Sequence, residues 1–335
     1  MGGDFGPRIT VPSTLNILRQ SPDLHAVLLG DAQQIQDEID RVDDVDTDRF
    51  RIQHCTQSVS MNEKPSSTIR HQRDSSMWQA LQLVADGQAQ ACVSAGNTGA
   101  LMAMSLFQLR TLTGISRPAI CTKVPTGSGF TYLLDLGANL ECSAQQLYQF
   151  GLMASLVAST IDDNQSPTVG LLNIGVEEIK GRQEILDAAE LFKADNDIQY
   201  IGFVEGDTLF QGAAEIVVCD GFSGNVALKT GEGVAKMIQG SLKQALSENF
   251  LAMLGALLAR PALKRLQRQM DPAQYNGASL LGLRGVVVKS HGSAIETGFA
   301  RAVAVAAHEA QRDLPSLIEA LLTQKNNQQE VSDDE

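Results

Sequence analysis

The chain reads as an α/β protein built on an open, mostly parallel sheet of βαβ units, and three observations predict it. Short apolar runs recur: LHAVLLG at 24–30, QACVSAG at 90–96, TVGLLNIG at 168–175 and EIVVCDG at 215–221. Stretches of helical periodicity separate them, with no obvious hairpin turn between, as parallel strands with crossover helices require. Several runs also end in a glycine-rich polar turn that opens a helix.

Element by element, LHAVLLG is a strand, followed by an acidic helix at about 31–42 and a short strand RIQHC at 51–55. Residues 56–73 lack clean periodicity and carry Lys64, Pro65, Arg70, His71 and Arg73, which reads as a surface loop. A helix follows from Ser75, with Met77, Leu81 and Val84 on one face. QACVSAG turns into the helix GALMAMSLFQLRTL. FTYLLDLG is a strand ending at Asp135, and Ser143 caps the helix AQQLYQFGLMASLVAS. TVGLLNIG, a helix at 177–193, IQYIGFVEG and EIVVCDG continue the alternation.

The last third differs. A long helical region runs from Gly224 to about 270, broken near Gly255 and Pro261. YNGASLLGLRG reads as a loop, GVVVK as a strand and AIETGFARAVAVAAHEA as a final helix. The expected organisation is one catalytic α/β unit over 1–324, as a single body or as two lobes with the site in the cleft. The polar tail KNNQQEVSDDE at 325–335 is expected to be disordered.

Composition narrows the function classes. Lys+Arg 26 against Asp+Glu 39 leaves a formal charge of −13, which argues against nucleic acid as the main partner. Cys55, Cys92, Cys121, Cys142 and Cys219 are widely spaced without a CxxC, as buried thiols of a reducing cytosol would be. The five histidines show no metal-ligand spacing, so no metal is expected. No run of 18 apolar residues marks a membrane span, and MGGDFGPR is unlike a signal peptide.

The strand-end loops carry the chemistry. GNTG at 96–99 offers Gly96 and Gly99 for close approach, with Asn97 and Thr98 as donors beside a helix N-terminus. GFSGN repeats the layout with Gly221 and Gly224, flanked by Asp220 and Asn225. Such loops hold phosphate through main-chain N–H groups, although neither is a P-loop. Lys180, Lys229, Lys289 and His291 lie at or near these turns as candidate cations. Asp4, Asp135, Glu177, Glu178, Glu205 and Asp220 are the carboxylates able to bind Mg²⁺ or orient lysines there. GxSxG is absent, which favours direct attack by phosphate over an acyl-enzyme. A further signal is LAMLGALLARPALKRLQR at 251–268. Leu251, Leu254, Leu258 and Leu266 share a helical face, with Arg260, Lys264 and Arg268 opposite and Arg265 beside them. It fits a membrane surface, an acidic carrier protein or a dimer contact.

Taken in order, MGGDFGP at 1–7, KPSSTIR and RDSSM at 64–77, SAGNTGAL, DLGAN at 135–139, NIGVEEIKG at 173–181, GFVEGD, DGFSGNVALK, YNGASLLGLRG and VKSHGSA resemble one family. It is the phosphate acyltransferase of bacterial phospholipid synthesis, the acyl-carrier-protein:phosphate transacylase or PlsX family. Two departures stand out. Family members usually carry a first strand ahead of MGGDFGP, so a late start or a trimmed sheet edge is expected. Asn276 and Ser279 stand where the family has glycine and proline, which predicts altered loop rigidity.

The resemblance implies the phosphotransacetylase and isocitrate/isopropylmalate dehydrogenase fold group, no cofactor, and conversion of acyl-carrier-protein thioester and inorganic phosphate into acyl phosphate. It also implies a cytoplasmic homodimer, peripherally membrane-associated, feeding a membrane glycerol-3-phosphate acyltransferase. On this reading Lys180 or Lys289, His291, Asp220 and Asn225 act in catalysis, and Asp4, Asp135, Asn139, Glu178 and Lys229 support the site. The helix at 98–112 and the segment 251–266 are the candidate acyl channel. The basic groups near 260–268, or Arg70 with Arg73, are the candidate carrier dock. The alternatives are a coenzyme A-dependent phosphate acetyl- or butyryltransferase, a dehydrogenase of the same fold, and a non-catalytic membrane or carrier-protein scaffold.

Overall fold

The computed structural model describes residues 1–269 and 271–333. Pro7 at the first helical position opens α1 (Pro7–Gln20), ahead of β1 (Ala26–Gly30), α2 (Ala32–Ile39) and β2 (Phe50–His54). Then come α3 (Pro65–His71), α4 (Ser76–Ala85), β3 (Ala91–Ser94) and α5 (Thr98–Gln108). The middle holds β4 (Ala119–Thr126), β5 (Gly129–Leu134), α6 (Ala144–Ile161), β6 (Thr168–Leu172) and α7 (Gln183–Ala194). It continues through β7 (Gln199–Val204), α8 (Gly206–Leu209) and β8 (Ile216–Val218). The last third is α9 (Gly221–Ser247), α10 (Phe250–Leu258), α11 (Arg260–Gln269), β9 (Ala278–Leu281), β10 (Val286–Lys289), α12 (Glu296–Gln311) and α13 (Leu314–Asp333).

Eight strands form one sheet in the order β3-β10-β9-β4-β5-β8-β6-β7, and β1 pairs with β2 in a small parallel sheet. Five of the eight pairings are parallel, as expected. The other three are antiparallel, because β4 and β9 pair antiparallel with each other and with β5 and β10 in the middle of the sheet. β4 returns into β5 through Gly127–Ser128, a two-residue hairpin hidden in KVPTGSGF. The four residues of β9 sit between Gly277 and Gly282, both at positive φ, so the segment read as a loop is a strand edged by turns.

Strand period places the core. Ile216 and Val218 of β8 belong to the core that holds α6 and α7, while Val217 belongs to the opposite core with residues of α4 and α5; Tyr132 and Leu134 split from Leu133 in the same way. Completely buried Phe150, Met153 and Phe192 fill one side, and Leu81, Leu101 and Met104 the other. Covering both faces of a sheet is what parallel strands demand.

Three further expectations change. The region 56–73 contains α3, started by Pro65. The helix expected at 177–193 begins only at Gln183, because residues 173–182 form a loop held by Asn173. The tail at 325–335 is helical through Asp333 where a disordered segment is expected, since no glycine or proline interrupts it. Its last two residues lie outside the described residues.

Candidate active site

Two groups of loops gather at the strand ends. The first surrounds β10. Lys289 is 8% exposed, its Nζ donates to the Ser290 carbonyl, and it has no ion-pair partner among the described residues. Burial is the main cause lowering its pKa to about 8; Asp4 opposes this and Lys229 adds to it. Pairing of β10 with β3 sets Lys289 against Ser94, and Ser290 N–H donates to the Ser94 carbonyl. The Lys289 loop therefore lies beside the turn into α5. Asp4 joins from the N-terminal segment, its N–H donating to Gly292 O at 2.8 Å.

The α5 turn divides its labour. Asn97 is buried, and its Oδ1 caps Ala100 N–H at 3.0 Å. Its Nδ2 reaches the carbonyls of Ser60, Met61 and Glu63. It is thus a clamp on the 60–63 loop, and Gly96 is packed between Met77 and Gly2. Thr98 and Gly99 are exposed at the first two helical positions, where main-chain N–H groups have no partner within the helix.

His291 sits next to this turn. Its N–H donates to Asn276 Oδ1 at 2.9 Å, while Asn276 Nδ2 holds Ser290 Oγ and Gly298 O. The asparagine in YNGASLLG therefore pins the His291 loop. Ser293 N–H donates to His291 Nδ1 at 3.2 Å, so the neutral ring carries its proton on Nε2. Burial lowers the imidazole pKa, Glu232 opposes this, and Lys289, Lys229 and Lys236 add to it.

The second group surrounds β5, β6 and β8. Asp135 is fully buried and accepts from Ile120 N, Ala138 N, Asn139 N and Asn139 Nδ2. Burial raises its pKa against those four hydrogen bonds. Asn139 Oδ1 in turn accepts from Arg117 Nε at 2.9 Å. Asp220 caps α9 through Ser223 N–H at 2.8 Å and pairs with Arg182. Gly221 N–H donates to Asn139 O, and a Cβ at Gly224 would lie 2.0 Å from Asp135 O. These glycines seat α9 on the end of β5, and Asn225 lies against Gly137. Gly221, Ser223 and Gly224 N–H are all engaged, so this turn is less open to an anion than the α5 turn.

The candidate cations differ in their surroundings. Lys180 is exposed and bound to Glu177 at 2.7 Å, an interaction that raises its pKa. Glu178 is exposed and pairs with Lys193 at 2.8 Å. Lys229 is exposed on α9, close enough to Lys289 to bear on its titration. Helix α9 thus joins the two groups: its first turn rests on β5 and its third approaches β10.

Sequence reasoning missed Arg182, Arg117 and Asn173. Arg182 directly follows the NIGVEEIKG motif, and its partner Asp220 is remote in sequence, so no local pattern links them. Helix α5 is packed core, with Ala100, Leu101, Met102 and Met104 buried. Exposed apolar groups instead collect beside the second loop group: Leu140, Ile174, Val176, Ile179, Phe222 and Val226. Leu254, Leu258, Arg260, Lys264 and Arg265 are exposed on α10 and α11; Arg268 lies on α11, with its side chain outside the described residues. Among the described residues no cluster of three His, Cys, Asp or Glu could hold a metal.

The pattern of the "Fatty acid synthesis protein" family matches residues 1–317. The phosphate acyltransferase of Halorhodospira halophila is 49% identical over 320 residues, covering 96% of this chain and 93% of that protein. The phosphate acyltransferase of Pseudomonas syringae pv. syringae is 51% identical over 322 residues, covering 96% and 94%. Among solved structures, a phosphotransacetylase from Streptococcus pyogenes superposes with a TM-score of 0.62 at 16% identity, covering 91% of each chain. At that identity the likeness is one of fold.

Proposed function

The chain belongs to the phosphate acyltransferase family of fatty acid synthesis proteins, and from that premise we propose a mechanism and an assignment of its residues. The reaction joins inorganic phosphate to a long-chain acyl group carried as a thioester on acyl carrier protein. A phosphate oxygen attacks the thioester carbonyl carbon, the C–O bond forms, the C–S bond breaks, and the carrier leaves as a thiolate that takes up a proton.

The observation that carries the assignment is Lys289: a buried ammonium at a strand end with no carboxylate partner among the described residues. An unpaired buried charge is costly unless a ligand completes it, and phosphate is the anion this reaction supplies. Thr98 and Gly99 offer main-chain donors on the adjacent wall, with the Thr98 hydroxyl beside them. Nε2–H of His291 is the donor for the oxyanion that develops on the carbonyl. Asp135, Asn139, Asp220 and Asn97 act by fixing the loops, and Asn225 borders the entrance at Gly137. The exposed collar of Leu140, Ile174, Val176, Ile179, Phe222 and Val226 takes the acyl chain, because such a substrate must cover apolar surface near the site.

The apolar helix α10, with Phe250, Leu251, Leu254 and Leu258 exposed, supplies peripheral membrane contact. A second copy of the chain covers part of the long α9 helix, and the acyl phosphate passes to a membrane glycerol-3-phosphate acyltransferase. No helix of the described residues is long and apolar enough to cross a membrane. Incubation of the purified protein with palmitoyl-carrier protein and phosphate, with hydroxylamine trapping of the product, tests the reaction. Hydroxamate appears only when both substrates are present; its absence at saturating phosphate overturns the reading.

A further inference from the structure

Helix α9 carries Lys229, Lys236 and Lys243 seven residues apart. Each step of seven turns the helix by all but about 20°, so the three ammonium groups share one face over about 21 Å. All three are exposed, and none is in an ion pair among the described residues. The face is open as well: a Cβ at Gly233 or Gly240, which lie between the lysines, would meet nothing within 4 Å. From 221 to 265 the sequence holds six cations (these lysines with Arg260, Lys264 and Arg265) against Glu232 and Glu248, in a chain of net charge −13. The row also begins near the site, since Lys229 bears on the titration of Lys289.

We propose that the Lys229–Lys236–Lys243 face is the docking track for the acidic carrier protein that delivers the thioester; the inference rests on the transacylase reading above. Charge complementarity selects this occupant. An acidic protein is repelled by most of this molecule and attracted to one basic strip, which steers encounter and sets orientation. A bilayer is better met by α10, which is apolar and carries no charge, whereas the lysine row runs away from α10 toward Lys289. That direction suits a partner that must insert a tethered thioester.

The test uses the full chain with Lys236→Glu/Lys243→Glu, and the milder Lys236→Gln/Lys243→Gln as a second variant. Each is assayed with palmitoyl-carrier protein and with palmitoyl-pantetheine, a thioester without the protein. The charge reversal lowers kcat/KM for the carrier substrate at least about tenfold through KM, the glutamine variant less. The difference shrinks as salt rises, because screening weakens surface attraction. Palmitoyl-pantetheine turnover stays within about twofold of the parent. Equal losses with both thioesters, or no loss with the carrier, would overturn the track. Unchanged carrier kinetics with lost pelleting on phosphatidylglycerol vesicles would assign the row to the membrane and overturn it likewise. A parent protein that makes acyl phosphate from neither thioester removes the transacylase reading itself, a separate failure from loss of the track.

Discussion

The loops at 173–181 and 289–294 look alike in sequence: each follows an apolar strand, is punctuated by glycine and contains a lysine. The structure separates them. The β10 loop buries its lysine without a carboxylate partner among the described residues and locks the neighbouring histidine through Asn276. The β6 loop exposes Lys180 to solvent, pairs it with Glu177, and shows Ile174, Val176 and Ile179 to the outside. Residue type and spacing mark both as candidate sites, and burial and pairing are what tell them apart.

The comparison breaks most sharply at Lys289. Lys289→Ala is expected to lower kcat/KM for phosphate at least about 100-fold, since each tenfold corresponds to only about 1.4 kcal/mol of lost transition-state stabilisation. Hydroxylamine-trapped product against phosphate concentration measures it. An equal loss in Lys180→Ala would erase the distinction between the loops.

Proton linkage sharpens it. Phosphate binding needs the ammonium form, so KM for phosphate rises as pH passes through about 8, approaching tenfold per pH unit, and bound phosphate shifts the transition upward. For the ligand-free protein the sign is opposite to that of a paired lysine. The folded-state pKa lies below the ordinary 10.5, so the cost of burying the charge is fully present below pH 8 and relieved as pH rises from 8 toward 10.5. Stability measured by denaturant titration therefore gains from Lys289 across that window, and Lys289→Met abolishes the gain.

For the other loop the expected role is acyl contact. Ile179→Ser with Phe222→Ser should lower kcat/KM about fivefold for a palmitoyl thioester and leave a butyryl thioester nearly unchanged, because each buried CH₂ is worth up to about 0.8 kcal/mol. A loss independent of chain length would make the collar a structural or subunit surface. The smallest effect belongs to Lys180→Ala, whose turnover should stay within about twofold, as expected for an exposed ion pair.

How much of this was legible in the sequence follows from where each signal lives. The βα alternation and the strand-end loops are local patterns, and they appear where the residues predict them. The antiparallel centre does not: β9 is too short for a period, and the β4–β5 turn hides among Pro125, Gly127 and Ser128. Asn97, Asp135 and Asp220 read as ligands or acids because their residue types permit it. Their hydrogen bonds instead go to carbonyls and N–H groups of loops remote in sequence or to helix caps. Lys180 and Lys289 are told apart by burial and pairing in the folded chain, and Arg182 becomes visible only through a partner 38 residues away.

Helix α9 has one more consequence. Its 27 residues make a rod of about 40 Å with the β5 loops at one end and α10 at the other. It therefore acts as a ruler between the β5 loops and α10. Inserting a single residue between Lys229 and Lys236 would swing everything beyond it by about 100°, whereas seven would restore its facing and lengthen the reach by about 10.5 Å. Length and phase along this rod, rather than any side chain on it, fix how far α10 stands from the strand-end loops and which way it faces.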